Sequence, residues 1–429
     1  MTDQSVLPDP CEASKALLSF LDKSATSFHA AALVQERLMA EGFVRLDEAD
    51  SWHLQASGRY FLQRNGSAVI AFVLPDTLSA ATGFHMVATH LDSPSLNLKP
   101  KALRKASGLS IVPTEVYGSP IIATWLDRPL GIAGRVFREG DDGRVQGELF
   151  AVPNAAVIPN PAIHLTPDVN TKGIVYNAQR ELNALIGLDK GAEPSGWLFS
   201  GDCVDMECQL FDCQPACLIG DGQELLQGPR LDNLLSAYAA LAALPASKPS
   251  GTIALSFWAD NEEIGSRTRQ GADSDFLQTA VRRIGLALGA TAEETARAMA
   301  CSLLLSADAA HGVHPSFPDY SEPSAAPQLG KGFALKRNVK FRYASNGAEL
   351  AAFRLFCRRS GVSCQDFTNR ADMPCGSTIG PALSAQLGIP AIDIGVPMLA
   401  MHSLRETAAL ADALELEKLV GCFWNSMNF

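Results

Sequence analysis

The chain has 429 residues and a formal net charge of −11. Its length predicts two or three domains, and 47% hydrophobic with 19% charged residues suits a globular protein with a large core. The acidic balance, with no long basic run, argues against nucleic acid or anionic membrane as a partner.

Met1 to Glu12 is acidic, contains two prolines, and lacks the basic segment and apolar run of a secretory signal. No window reaches the roughly 20 apolar residues of a membrane helix. Both features predict a cytoplasmic protein whose ten cysteines stay reduced. Glu12 to Leu21 and Phe28 to Met39 carry apolar residues at helical spacing, with Gly42 as a stop. Residues 58–75 predict a hairpin around Asn65-Gly66. Met86 to Ala88 then reads as the end of a buried strand, with His90 and Asp92 just past it. In a metal site the histidine of such a pair ligates and the carboxylate orients it. Alone, His90 reads better as a hydrogen-bonded loop histidine.

From about Asn97 to Gly220 the texture is mostly β. Short runs at 109–112, 119–125, 131–137, 146–152, 197–199, 208–211 and 216–219 are punctuated by Gly, Pro and Asp. Residues 177–190 predict one helix. His164 lies in a proline-rich loop, Val157 to Leu165, and by itself reads as a surface histidine. Cys203, Cys208, Cys213 and Cys217 match no zinc-binding spacing and read as strand and loop residues.

The α/β texture returns at Gly228. Residues 231–244 predict a helix with Asp232 at its start, where a carboxylate suits the helix dipole. Thr252 to Trp258 is a continuous apolar run, as expected of a strand buried on both faces. Asp260, Glu262 and Glu263 follow it, and in open α/β sheets ligands bind beyond that strand end. Adjacent glutamates can divide a hydrolytic metal site, one holding metal and the other moving the proton. Residues 274–289 and 291–300 are helical, with Thr291 as a cap and Glu293 and Glu294 in the first turn. Cys301 to His311 is a further strand ending in Asp308 and His311; residues 333–342 form another, carrying Lys336. A helix at 346–360, a glycine-bearing loop from Asp372 to Gly380, a strand from Pro390 to Val396 and a helix at 408–425 complete the chain.

Each acidic or histidine residue has a bland reading alone. Together, His90, Asp232, Glu263, Asp308 and His402 all follow a buried strand or begin a helix, which collects them at one sheet edge. Two histidines and three carboxylates can serve two divalent ions a few Å apart. Imidazole and oxygen ligands suit Zn²⁺ and also admit Co²⁺ or Mn²⁺. No thiolate belongs to the set, which weakens a purely structural zinc reading.

Over nearly its whole length the chain resembles the aspartyl aminopeptidase family of metallopeptidases. The residues that carry the likeness are Thr89 to Pro94, Pro159 to Leu165, Gly228 to Leu234, Asp260 to Ser266, Ser306 to His311, Phe341 to Asn346, Pro374 to Gly380 and Ala400 to Glu406. The resemblance implies an α/β catalytic domain with a mixed, largely parallel sheet flanked by helices. That domain would be split between residues 1–94 and 226–429, around an inserted β-rich dimerisation domain at 95–225. Subunits would assemble as a tetrahedral homododecamer. Asp232 would bridge two metal ions, with His90 and Asp308 completing one site and Glu263 and His402 the other. Glu262 would take a proton from the water between the ions, with Asp92 supporting the metal cluster. His164 would reach a neighbouring subunit's active site. His311, Gly376 and Met401 would border the substrate, and Lys336 would meet an acidic first side chain. Arg230, Arg370 and Arg405 are further cations for that task. The implied activity is removal of N-terminal Asp or Glu from peptides. A broad dinuclear metallo-aminopeptidase, a deacylase of N-acylated amino acids, and a non-catalytic assembly or cargo protein are the alternatives.

Overall fold

The computed structural model describes residues 10–79, 82–99, 103–189 and 203–426. The run expected at 197–199 lies outside them. The central sheet has nine strands, in the order Val44–Arg45, Arg59–Arg64, Ala68–Val73, Thr252–Ala259, Gly83–His90, Leu303–Ala307, Ala391–Gly395, Phe333–Arg337 and Cys364–Thr368. Its middle four, from Thr252–Ala259 to Ala391–Gly395, run parallel. The outer strands add antiparallel neighbours, so the sheet is mixed.

Side-chain alternation explains why these strands read as unbroken apolar runs. Val69, Ala71 and Val73 enter one core while Ile70 and Phe72 enter the other. The first face is covered by helices Pro10–Lys23, Ser27–Ala40, Leu231–Ala243, Gly347–Ser360 and Leu410–Trp424. Phe276–Ala287 and Gly380–Leu387 cover the second. Trp258 and Trp424 are fully buried, each contributing about 1.5–3 kcal/mol of hydrophobic stabilisation. Their indole N–H groups donate to the carbonyls of Ala237 and His85, so neither buries an unmet donor.

Local signals behave as their chemistry requires. Asn65 and Gly66 both take positive φ between the antiparallel strands Arg59–Arg64 and Ala68–Val73. Gly42, at φ 79°, follows the helix Ser27–Ala40. Thr291 and Glu294 close a reciprocal capping box.

The strands Ser95–Leu98, Arg104–Ala106, Leu109–Tyr117, Leu130–Glu139, Val145–Ala156, Asn183–Leu188 and Cys203–Asp212 pair antiparallel in a separate sheet with its own core. Two expectations fail here. Within 177–190 the chain makes a turn and then the strand Asn183–Leu188, paired with Leu109–Tyr117. Leu182, Ala184 and Ile186 enter the core with period two, which overrides the helical spacing. Within 119–125, Ile122–Trp125 is a 3₁₀ turn held by Thr124 Oγ1 donating to the Ile121 carbonyl. Cys203, Cys208, Cys213 and Cys217 are free, and no described cysteine joins a metal-ligating group.

A third sheet runs Cys217–Ile219, Leu225–Gly228, Glu406–Ala409, Pro397–Leu399 and Ala310–His311. The strand Cys217–Ile219 therefore pairs across the expected boundary at residue 225. No described helix is long and apolar enough to cross a membrane.

Candidate active site and metal centre

The parallel strands deliver their carboxyl ends to one edge. His90 ends Gly83–His90, the turn Glu262–Ile264 follows Thr252–Ala259, and Asp308 follows Leu303–Ala307. The helix Leu231–Ala243 begins at that edge with Asp232. Gly395 makes room for the Asp308 backbone: a Cβ there would sit 1.6 Å from the Asp308 carbonyl oxygen. His402 arrives from the third sheet, in a loop where it adopts φ 66°.

The result is a cleft of 340 Å³ lined by His90, Asp232, Glu262, Glu263, Asp308 and His402, with Lys336 and Tyr343 in its wall. His311, Gly376 and Met401 also line it. His90 Nε2 lies 3.5 Å from Asp232 Oδ1 and 3.4 Å from Asp308 Oδ1. His402 Nε2 lies 3.7 Å from Asp232 Oδ2 and 3.4 Å from Glu263 Oε2. Asp232 thus presents one oxygen to each histidine.

Both histidines are poised by their far nitrogens. His90 Nδ1 is 3.0 Å from the Asp92 carbonyl, and His402 Nδ1 is 3.1 Å from the Ser119 carbonyl. A carbonyl only accepts, so each Nδ1 carries a hydrogen, and Nε2 is the ring atom turned to the carboxylates. Asp92 does more than neighbour His90. It accepts the Glu262 and Glu263 backbone N–H groups, each at 3.1 Å, and the Tyr117 hydroxyl at 2.8 Å. Burial pushes its carboxyl up, but the hydrogen bonds and His90 outweigh that and hold it below the usual range. Burial, reinforced by the Asp308, Asp92 and Asp232 carboxylates, pushes Glu262 up to about 8.

Three supporting residues escaped the sequence reading. Glu406 accepts the backbone N–H groups of Asp232 at 2.9 Å and His402 at 2.7 Å. Tyr117 ties Asp92 to Asn261. Tyr343 places its ring 5.1 Å from Lys336 Nζ. Tyr343 and Glu406 lay inside matched motifs, which was the signal available for them; Tyr117 had none.

Other expected residues lie elsewhere. Asp260 is buried, accepts the Asn261 N–H, and belongs to no metal-ligating group among the described residues. His164 sits in an exposed turn, Ile163–Leu165, outside its own cleft. Arg230, Arg370 and Arg405 do not line the cleft. Arg405 binds Asp212 and the Gln214 and Pro215 carbonyls, Arg230 donates to the Leu21 carbonyl, and Arg370 pairs with Asp372. Arg370 and Arg405 commit their donors to these partners, whereas Arg230 lies outside the cleft with its Nε buried and unpartnered. Lys336, 2% exposed, is the one lysine or arginine lining the cleft among the described residues.

A family model described as aminopeptidase I zinc metalloprotease (M18) matches residues 20–197 and 198–424. The chain belongs to the M18 family. A probable M18 family aminopeptidase 2 from Stutzerimonas stutzeri (strain A1501) is 40% identical, covering 97% of this chain and 98% of that protein. The Pseudomonas aeruginosa (strain UCBPP-PA14) protein of the same name is also 40% identical, with the same coverage. The Ape4 and Nbr1 complex contains a chain of TM-score 0.93 and 34% identity, covering 97% of this chain and 86% of that one. The crystal structure of prApe1 matches with TM-score 0.90 and 27% identity, covering 98% and 95%. The protein is thus an M18 metal-dependent aminopeptidase.

The residues present fit the zinc that M18 membership implies. Asp232 Oδ1 and Glu263 Oε1 are buried without a hydrogen-bond partner. Uncompensated buried carboxylate oxygens are costly, and a cation removes that cost. Donor separations of 3.4–3.7 Å suit the case: tetrahedral bonds of about 2.0–2.1 Å place neighbouring ligand atoms about 3.4 Å apart. His90, Asp232 and Asp308 form one such group; Asp232, Glu263 and His402 form another.

Proposed function

We propose that this M18 aminopeptidase removes N-terminal Asp or Glu from peptides, with two zinc ions sharing Asp232. His90 and Asp308 hold one ion; Glu263 and His402 hold the other. The buried Lys336 ammonium carries the specificity reading. In a cleft dominated by carboxylates, an anionic side chain needs a fixed cation. Lys336, braced by Tyr343, is the cation present.

Bound zinc supplies Lewis-acid polarisation of the scissile carbonyl and lowers the pKa of the attacking water. Glu262 takes that water's proton and passes it to the departing amine. Its peptide N–H is pinned by Asp92, which fixes the carboxylate's position in the cleft. The cleft carboxylates give the free α-ammonium its partners, which favours exopeptidase action and disfavours acylated substrates.

The strands between residues 95 and 212 support an inserted self-association domain, within the catalytic halves 1–94 and 226–429. The edge strand Val145–Ala156 is mostly exposed, with Val145 at 66% and Leu149 at 44%. An exposed apolar edge of that length invites a partner strand or surface. The solved S. cerevisiae mApe1 dodecamer, of 27% identity and TM-score 0.80, favours twelve subunits here. In that assembly the exposed His164 is available to a neighbour's cleft, where it can stabilise the oxyanion. A cytoplasmic setting accords with nine free cysteines among the described residues.

Lys336→Met tests the selector. Activity on Asp peptides is expected to fall by about 100-fold, the scale of a lost charge-assisted contact, with activity on Ala and Leu peptides changing little. An equal loss on all substrates would show that Lys336 serves only as counter-ion to Asp308.

A further inference from the structure

Beyond the cleft, two further depressions are linked to it through shared lining residues. His311 lines both the cleft and a neighbouring pocket of 430 Å³. That pocket shares Thr368, Asn369, Arg370, Met373 and Pro374 with a groove of 840 Å³. The three spaces are thus joined by common walls.

Their chemistry changes along the path. In the middle pocket Tyr320 is 65% exposed and stacked on Phe317, with ring centroids 5.4 Å apart. Glu322 also lines it, which disfavours an anion there. The far groove is basic. Arg337, Lys340 and Arg342 line it, all exposed, and none has an ion-pair partner among the described residues. Val339 and Phe341, 89% and 61% exposed, alternate with them. Three unneutralised cations and two bare apolar side chains in six residues contrast with a chain of net charge −11.

Taking the aminopeptidase reading of the cleft as its basis, we propose that this groove binds an acidic segment of the peptide substrate, downstream of the residue being removed. The free N-terminus and first side chain occupy the cleft, an uncharged stretch crosses the aromatic pocket, and carboxylates further along meet Arg337, Lys340 and Arg342. Such contacts are partly solvated, so they raise affinity and capture rate modestly and are screened by salt. The preferred substrate is acidic twice, at its first residue and again after a neutral spacer. Acidic residues within the spacer face Glu322 and gain nothing.

The test uses the assembled, zinc-loaded enzyme and the triple variant Arg337→Gln/Lys340→Gln/Arg342→Gln. Substrates are a short Asp peptide, and long Asp peptides with a neutral spacer ending in a run of Glu or a run of Gln. We expect the Glu tail to lower KM roughly fivefold relative to the Gln tail at unchanged kcat. About 0.5 M sodium chloride should erase the difference. The triple variant should lose it while cleaving the short peptide normally. Equal KM for both tails, in enzyme that cleaves the short peptide, overturns the proposal. So does a tail effect that survives in the triple variant while light scattering shows altered assembly, which would make the groove a contact between copies. If no Asp peptide is cleaved, the specificity reading fails first. The groove is then read by anisotropy of a fluorescein-labelled, N-acetylated Glu-tailed peptide. Binding lost in the triple variant upholds it, and no binding by wild type overturns it.

Discussion

The central sheet and the sheet of residues 95–212 place their unsatisfied groups in opposite ways. The central sheet hides both faces under helices and concentrates charge at one edge, where buried carboxylate oxygens of Asp232 and Glu263 lack partners. The second sheet keeps its charge dispersed and leaves an apolar edge strand, Val145–Ala156, in solvent. One region leaves buried charge unpaired, the other leaves apolar side chains exposed. On the proposed function zinc completes the first and self-association the second, and the two can be broken separately.

The largest effects belong to the charged edge. Asp232→Asn replaces one of the two oxygens facing the histidines with an amide NH2 and removes the negative charge; metal content by mass spectrometry should fall sharply, with activity down at least about 1,000-fold. On the proposed function, in which Glu262 carries the proton and does not hold metal, Glu262→Gln should keep its zinc and lose about 100- to 10,000-fold in kcat, whereas loss of zinc would make it a ligand with His90 and Glu263. Turnover surviving in Glu262→Gln would place the base elsewhere.

Breaking the other region should spare the metal centre. Leu149→Asp, on the exposed edge, should lower the assembled mass in light scattering. Zinc content should stay unchanged and melting should shift little. Residual activity then reports on His164: if a neighbour supplies it, activity falls with assembly and returns on reassociation.

The smallest effect lies away from both. Arg64 Nη1 pairs with Asp275 Oδ1 at 2.7 Å on the surface, and Arg64 holds the Asp275 carboxyl below its usual range. A depressed folded-state value stabilises above the unfolded pKa of about 4, and that stability is lost as pH falls through the folded value. Asp275→Asn should therefore cost less than about 1 kcal/mol at neutral pH, and nothing in strong acid. Chemical denaturation at both pH values checks it.

The strand ends were legible because burial on both faces leaves an unmistakable apolar run. Thr252 to Trp258 led into Glu262 and Glu263, and Cys301 to His311 carried Asp308, though only the set taken together outweighed the bland reading of each. Glu406 was not legible, because its role arises from contacts with Asp232, 174 positions away in the chain, and with a backbone N–H that any residue offers. That Arg230, Arg370 and Arg405 lie outside the cleft was not legible for the converse reason. Sequence shows a cation but not the carbonyls and carboxylates already holding it. At 177–190 both periods were present in the apolar pattern, and pairing with Leu109–Tyr117 decided for the strand.

The most direct test of the central account is N-terminal residue release from matched Asp, Glu, Ala and Leu peptides and an N-acetyl-Asp peptide. It is run on metal-stripped protein and again after zinc is restored. The account predicts no release without metal, and with zinc rapid release of Asp and Glu, slow release of Ala and Leu, and none from the acetylated peptide. Preferential release of Leu, or cleavage of the acetylated peptide, would contradict it.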